Sequence, residues 1–254
     1  MDRMIYTAMT GAKQTMEQQA TVSNNLANVN TTAFRSELAT FRAVPILGKA
    51  QPTRAFVTDS TPGADFTPGN FQQTGRALDV AVQGTGWIAV RANDGSEAYT
   101  RDGNLQVQAN GLLTTHNGTT VLSDPGPGAP PAPITIPPNT VVTVAPDGTV
   151  SATTSQGGNI PPIVTVAGKI RLVDPPASNM MRRDDGLFQT RDGQAAAPSA
   201  RVQVASGNLE SSNVNLTHQM VQMIELSRQY ELNTKMITTA SDNEKSASQL
   251  LTLS

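Results

Sequence analysis

The chain has 254 residues, with 18 Lys and Arg against 20 Asp and Glu, two histidines and no cysteine. A charged fraction of 15% and a net charge of −2 leave no polyelectrolyte for nucleic acid or anionic lipid to grip, so nucleic-acid binding is excluded as a starting reading. Missing cysteines remove disulfide frameworks, thiolate catalysis and Cys-based zinc sites, and His116 and His218 lie too far apart in sequence to suggest a histidine metal cluster. The length is enough for a sizeable core. Only ten residues are aromatic, however, so part of the fold is expected to need neighbours. The longest apolar run, Trp87 to Val90, is too short for a secretory signal or a membrane span, and no cleaved signal peptide is expected.

From the first residue, Met1, Ile5, Ala8, Ala12, Thr15, Gln19, Val22, Leu26 and Val29 recur at alternating steps of four and three, the seam of a heptad helix. Thr15 and Gln19 are its polar exceptions. Ala8 and Ala12 permit close helix approach, and Met4, Met9 and Met16 add adaptable contacts beside them. Such a helix, about 40 Å long at 1.5 Å per residue, must bury its stripe on another helix. Asn28, Asn30, Thr31 and Thr32 predict its end. Residues 35–75, rich in Pro and Gly and without a sustained period, predict an extended arm with little secondary structure of its own.

Between 76 and 206 the pattern is β. Leu78 to Val82 alternates, and Trp87 to Val90, Leu105 to Val107, Val141 to Val144 and Lys169 to Val173 predict further strands. Asp-Gly occurs at 94, 102, 147, 185 and 192, and Asn-Gly at 110 and 117; these dipeptides supply positive φ in tight hairpins and predict an antiparallel domain of short strands. Ten prolines between Ser123 and Pro162 mark exposed connections and edges. From Asn213 to about Leu253 there is neither Pro nor Gly. Leu216, Met220, Met223, Tyr230, Ile237, Ala240, Ala247 and Leu251 predict a second, longer helix, with Ser211 or Ser212 supplying its N-cap. The fold class is therefore α+β, with two terminal helices, a coiled-coil-like pair, bracketing a central antiparallel all-β domain.

Candidate chemistry is sparse. Gly84-Thr85-Gly86-Trp87-Ile88-Ala89 has the spacing of a dinucleotide fingerprint, but a strand and a turn follow it instead of the helix that would offer amides to pyrophosphate. No Asp-Gly site has the alternating acids and final Glu of an EF-hand. His218 reads as part of a solvated helix face and His116 as a loop residue. Asn24, Asn25, Asn28 and Asn30 cost helix propensity, and two readings stay open: loosening and capping of the helix end, or amide contacts that fix register with neighbouring helices.

Ser23-Asn24-Asn25-Leu26-Ala27-Asn28-Val29-Asn30-Thr31-Thr32-Ala33-Phe34-Arg35 resembles the N-terminal motif of bacterial flagellar rod and hook proteins. Gly207-Asn208-Leu209-Glu210-Ser211-Ser212-Asn213-Val214-Asn215, Arg228-Gln229-Tyr230-Glu231 and Lys235-Met236-Ile237 resemble the family's C-terminal region, and Leu78 to Trp87 and Tyr99 to Asn104 its middle. One departure is Ala33, where the family more often places Gly, which implies a different turn here.

The resemblance implies a noncatalytic axial subunit without cofactor, metal or small-molecule substrate. Its partners would be other rod subunits, copies of itself in a helical assembly and the flagellar type III export apparatus; its place would be the proximal rod of the basal body. On this reading the rod core is built from residues 1–34 and 207–254, with 35–75 as arm and 76–206 as outer β domain. The expected assembly contacts are Ile5, Ala8, Ala12, Val22, Asn25, Leu26, Asn28, Met220, Met223, Tyr230 and Ile237. The alternatives are a distal-rod or hook protein, or a secreted carbohydrate-binding or adhesive β module.

Overall fold

The computed structural model describes residues 2–45, 55–126, 129–154 and 161–252. Helix α1 spans Asp2–Ala27 and helix α2 spans Leu216–Thr252, and the chain between them is antiparallel β structure. The helices are about 39 Å and about 55 Å long at 1.5 Å per residue. The chain forms two compact units: Met1–Val29, Ser36–Asp65 and Val214–Ser254 make one, Asn30–Arg35 and Phe66–Asn213 the other.

In the first unit α1 and α2 pack along each other, and α1 turns its seam inward. Ala8, Ala12, Thr15 and Val22 are buried there; on α2, Gln219 and Ala240 are. Small residues set the approach, since a Cβ added at Gly11 would lie 3.3 Å from Asn233 Oδ1. The polar seam position Thr15 has a partner in this contact, as Asn233 Nδ2 donates to its Oγ1 at 3.4 Å. Met1 and the side chains of Ala247 and Leu251, assigned to the seams from sequence, lie outside the described residues.

Two sequence expectations are corrected here. The cap of α2 is Asn215, not Ser211 or Ser212: Asn215 Oδ1 accepts from the His218 amide at 3.1 Å, satisfying one of the free donors at the helix start. The serines are excluded by their place in an extended segment, where the Ser211 amide donates to Asn70 O at 2.8 Å. The arm also has more regular structure than its composition suggests. Strand β1 (Glu37–Pro45) pairs antiparallel with β2 (Ala55–Ala64) from Glu37↔Ala64 to Pro45↔Ala55, and both pack on α1.

In the second unit the larger sheet has eight strands. Seven follow the order Met180–Arg182, Phe188–Thr190, Glu97–Thr100, Trp87–Arg91, Thr120–Val121, Leu113–Thr115 and Leu105–Val107; Leu172–Val173 also pairs with Trp87–Arg91. A second sheet joins Thr140–Val144, Thr149–Thr154 and Ile163–Lys169. The predicted strand Lys169 to Val173 is divided between them: pairing in the second sheet ends at Lys169, and Leu172 pairs with Ile88 of the first. The core between them is aliphatic, including Val80, Ile88, Leu105, Leu113, Val150 and Ile170. Phe66, Trp87 and Phe188 form an aromatic cluster with centroids 4.7 to 5.8 Å apart.

Five hairpins share one turn. In the first, the Gly95 amide donates to Ala92 O, the Ala92 amide to Ser96 O, and Asp94 Oδ1 accepts from the Ser96 amide. Gly95 has φ +84°, the geometry of a three-residue loop closed by a glycine bulge. The same pairs of backbone bonds close the turns at Gly111, Gly118, Gly148 and Gly186. Asp102-Gly103 is different. Gly103 is required because its Cα faces backbone: a Cβ would sit 1.6 Å from Val80 O. The Gly84-Thr85-Gly86 segment leads directly into the strand Trp87–Arg91, so no helix starts at its glycines, but it closes no hairpin either: Val80–Gln83 before it pairs with Gln203–Ser206 and not with Trp87–Arg91.

Ala33 has φ +56°, in the left-handed region, while its amide donates to Glu210 O at 2.8 Å. The implied change of turn is thus overturned: the glycine-type backbone is kept and the alanine bears its strain.

Two substitution series follow, read by urea unfolding. Gly103→Ala is expected to destabilise the chain by about 3 kcal/mol or more, because the obstacle is backbone, whereas Gly95→Ala, which points into open space, costs about 1 kcal/mol from its φ alone. Ala33→Gly is expected to stabilise by about 1 kcal/mol; an unchanged or lowered midpoint would show that the turn holds no strain.

Candidate functional site

Apolar surface that remains exposed after a chain has folded marks where another chain packs. On α1 the seam is used inside the helical unit: Ala8, Ala12 and Val22 are buried, and Ile5 and Leu26 are half-buried. Beside it Tyr6, Met9 and Met16 are exposed and spaced by three and seven residues, so they share one flank of the helix.

The longer helix carries the larger surplus. Leu216, Met220, Ile224, Leu232 and Met236 all lie exposed, Ile224 at 55% and Leu232 at 63%. They are four or eight residues apart, with Arg228 at the missing step. Four-residue spacing makes a ridge that winds around the helix, here broken once at Arg228, and such ridges interlock with grooves of a facing helix. Val221 widens it. Met223, Tyr230 and Ile237, expected as contacts, are half-buried beside this ridge, whereas Met220 is part of it. Ile224 and Leu232 escaped the sequence reading because the heptad seam was followed and the parallel four-residue row was not. That row was the available signal.

The amides divide into two roles. Asn25 is 2% exposed and bonds reciprocally with the start of β1: its Nδ2 donates to Glu37 O at 3.0 Å, and the Glu37 amide donates to its Oδ1 at 2.7 Å. Asn28 Nδ2 donates to Asn24 O at 2.9 Å and to Asn24 Oδ1 at 2.7 Å, closing the last turn of α1. Asn25 thus anchors the ribbon to the helix, and Asn28 serves the helix end.

Among the described residues no group of three or more His, Asp or Glu is placed to hold a metal ion, and no helix is long and apolar enough to cross a membrane. His116 and His218 are both exposed. The distinctive surface is an apolar ridge on a long helix, packed beside a second helix drawn from the opposite end of the chain.

Comparison with known proteins assigns this arrangement to the axial proteins of the bacterial flagellum. Residues 5–35 match the family described as flagella basal body rod protein, 81–152 the flagellar hook protein FlgE/F/G D1 domain, and 205–250 the flagellar basal body rod FlgEFG protein C-terminal. The flagellar basal-body rod protein FlgF of Salmonella typhimurium is 44% identical over 260 residues, covering 100% of both chains. FlgF of Caulobacter vibrioides is 34% identical over 258 residues, 99% of this chain and 98% of its own, and the rod protein FlgG of Bacillus subtilis is 31% identical over 266 residues. The chain belongs to the flagellar basal-body rod protein family, and with it to the structural subunits of the flagellum.

Buried seam and exposed ridge make opposite predictions for the isolated chain. Ala12→Asp is expected to lower stability by about 3 kcal/mol by burying an unpaired carboxylate, whereas Ile224→Asp stays within about 0.5 kcal/mol of the parent, both read by thermal circular dichroism. A large loss for Ile224→Asp would show that the ridge belongs to the chain's own core.

Proposed function

We propose that the chain is a noncatalytic subunit of the proximal rod, exported unfolded through the flagellar type III apparatus and assembled helically to transmit torque. The exposed ridge of α2 carries this reading: an apolar row of this length is costly in water and is relieved when helices of adjacent subunits cover it. Full-length similarity at 44% identity to FlgF of Salmonella typhimurium, against 31% to FlgG of Bacillus subtilis, supports reading the chain as a FlgF-like subunit, which we place in the proximal rod.

In the assembly the helices form a coiled-coil-like inner layer. Ala8, Ala12 and Val22 close the pair within one subunit. Ile5, Leu26, Met220, Met223, Tyr230 and Ile237, with Ile224 and Leu232, meet neighbouring copies and other rod subunits. Residues 35–75 act as an arm, and the β domain sets lateral spacing between subunits. A heterologous contact that does not close on itself generates a helical filament, as a rod requires.

Replacement of Ile5 or Met223 by Asp is expected to abolish incorporation into basal bodies and swimming while the purified chain keeps its β signature. Basal bodies with a normal content of both variants would remove the helical faces from the assembly contact.

A further inference from the structure

The chain passes between its two units four times, at 29/30, 35/36, 65/66 and 213/214. Within the β unit the segments that carry these crossings gather around Glu210, some bonded to its carboxylate, one to its main-chain carbonyl, and Asn213 through Thr67 and Phe34. Glu210 is fully buried; its Oε1 lies 2.7 Å from Arg35 Nη2 and accepts from the Gly69 amide at 2.9 Å, and its Oε2 accepts from Arg101 Nε at 2.8 Å. Arg35 also donates from Nη1 to Thr67 O at 2.7 Å, and Asn213 Nδ2 donates to that oxygen at 3.0 Å. The Asn213 amide donates to Phe34 O at 3.3 Å, and the Ala33 amide to Glu210 O.

Arg101 fastens this cluster to the sheet. Besides Glu210 it donates to Val82 O, Gly84 O and Gly86 O, at 2.7 to 2.8 Å, so one guanidinium holds three carbonyls around the turn before Trp87. Arg182 adds a second tie, donating to Arg35 O at 3.2 Å with its guanidinium 4.5 Å from the Phe34 ring centroid.

We propose that the Arg35–Glu210–Arg101 cluster is a junction lock: it binds the chain crossings into one rigid root on the β unit, and force passing between the units is carried through it. A surface network would tolerate loss of one member, but a buried carboxylate between two guanidiniums does not, because each removal leaves charge without its partner. Four separate peptide connections would each swivel about their own dihedrals; cross-tied at Glu210 they yield only together. The mechanical part of this proposal rests on the rod reading, while the lock itself belongs to the free chain.

The test uses the full-length chain with Glu210→Gln, which keeps shape and removes charge, and Arg35→Met, which leaves the Arg101 pair intact. In hydrogen exchange the amides of Ala33, Gly69 and Ser211 are expected to lose protection by about ten-fold or more while those of Ile88 and Leu113 hold theirs. Unchanged junction amides, or equal loss in the sheet, overturn the lock; if Glu210→Gln does not fold, Arg35→Met decides by the same readout. In cells, Arg35→Met is expected to enter basal bodies at the parental level and to stop rotating at a lower medium viscosity. Parental rotation at every viscosity overturns the mechanical role, whereas a parent chain absent from rods would instead refute the rod reading and leave the exchange result standing.

Discussion

The two ends of the chain must lie side by side. Each terminal helix carries an apolar stripe that water does not tolerate alone, and each finds part of its cover on the other. Everything between them is therefore an insertion, and the backbone has to leave the helical unit and return to it. Small residues make this closure possible: Ala8 and Ala12 occupy the buried seam, and Gly11 admits Asn233 where a methyl group would crowd it. Where the seam is polar, at Thr15, the facing helix supplies an amide partner.

That closure leaves the helices with two kinds of apolar surface. The seam is made of small side chains and is satisfied within one molecule. The ridge of α2 is made of Leu, Met and Ile and stays in solvent. The choice of methionine at Met9, Met16, Met220 and Met236 suits contacts that must fit more than one neighbouring surface, since an unbranched thioether adapts where a β-branched residue would not. In the β unit a buried aliphatic core is pinned by glycine turns, while Val141, Ile163, Val164 and Val166 stay exposed on strands instead of on a helix.

Much of this was legible in the residues, and the failures share a cause. Helix positions followed from periodicity, and the Asp-Gly and Asn-Gly pairs located the turns, because both signals are local. The β1–β2 ribbon escaped because Glu37 pairs with Ala64 and Pro45 with Ala55, a match that no periodicity within either segment announces. Asn215 was missed as a cap because Ser211, Ser212 and Asn213 have the same chemistry in sequence; pairing of the strand Asn208–Glu210 removed the serines from contention. Arg35, Arg101 and Glu210 each lay inside a recognised motif, yet Arg101 and Glu210 are 109 residues apart, and only the folded chain puts three charges at one point.

The exposed ridge as a subunit contact is the claim on which the rest of the account turns. Because the chain has no cysteine, single replacements at Ile224 and Leu232 can be labelled without background. Maleimide labelling of these two positions should be fast in the purified chain and strongly suppressed in intact basal bodies. Equal labelling rates in the free and the assembled protein would mean that the ridge faces solvent in the rod, and the contact would have to be sought elsewhere.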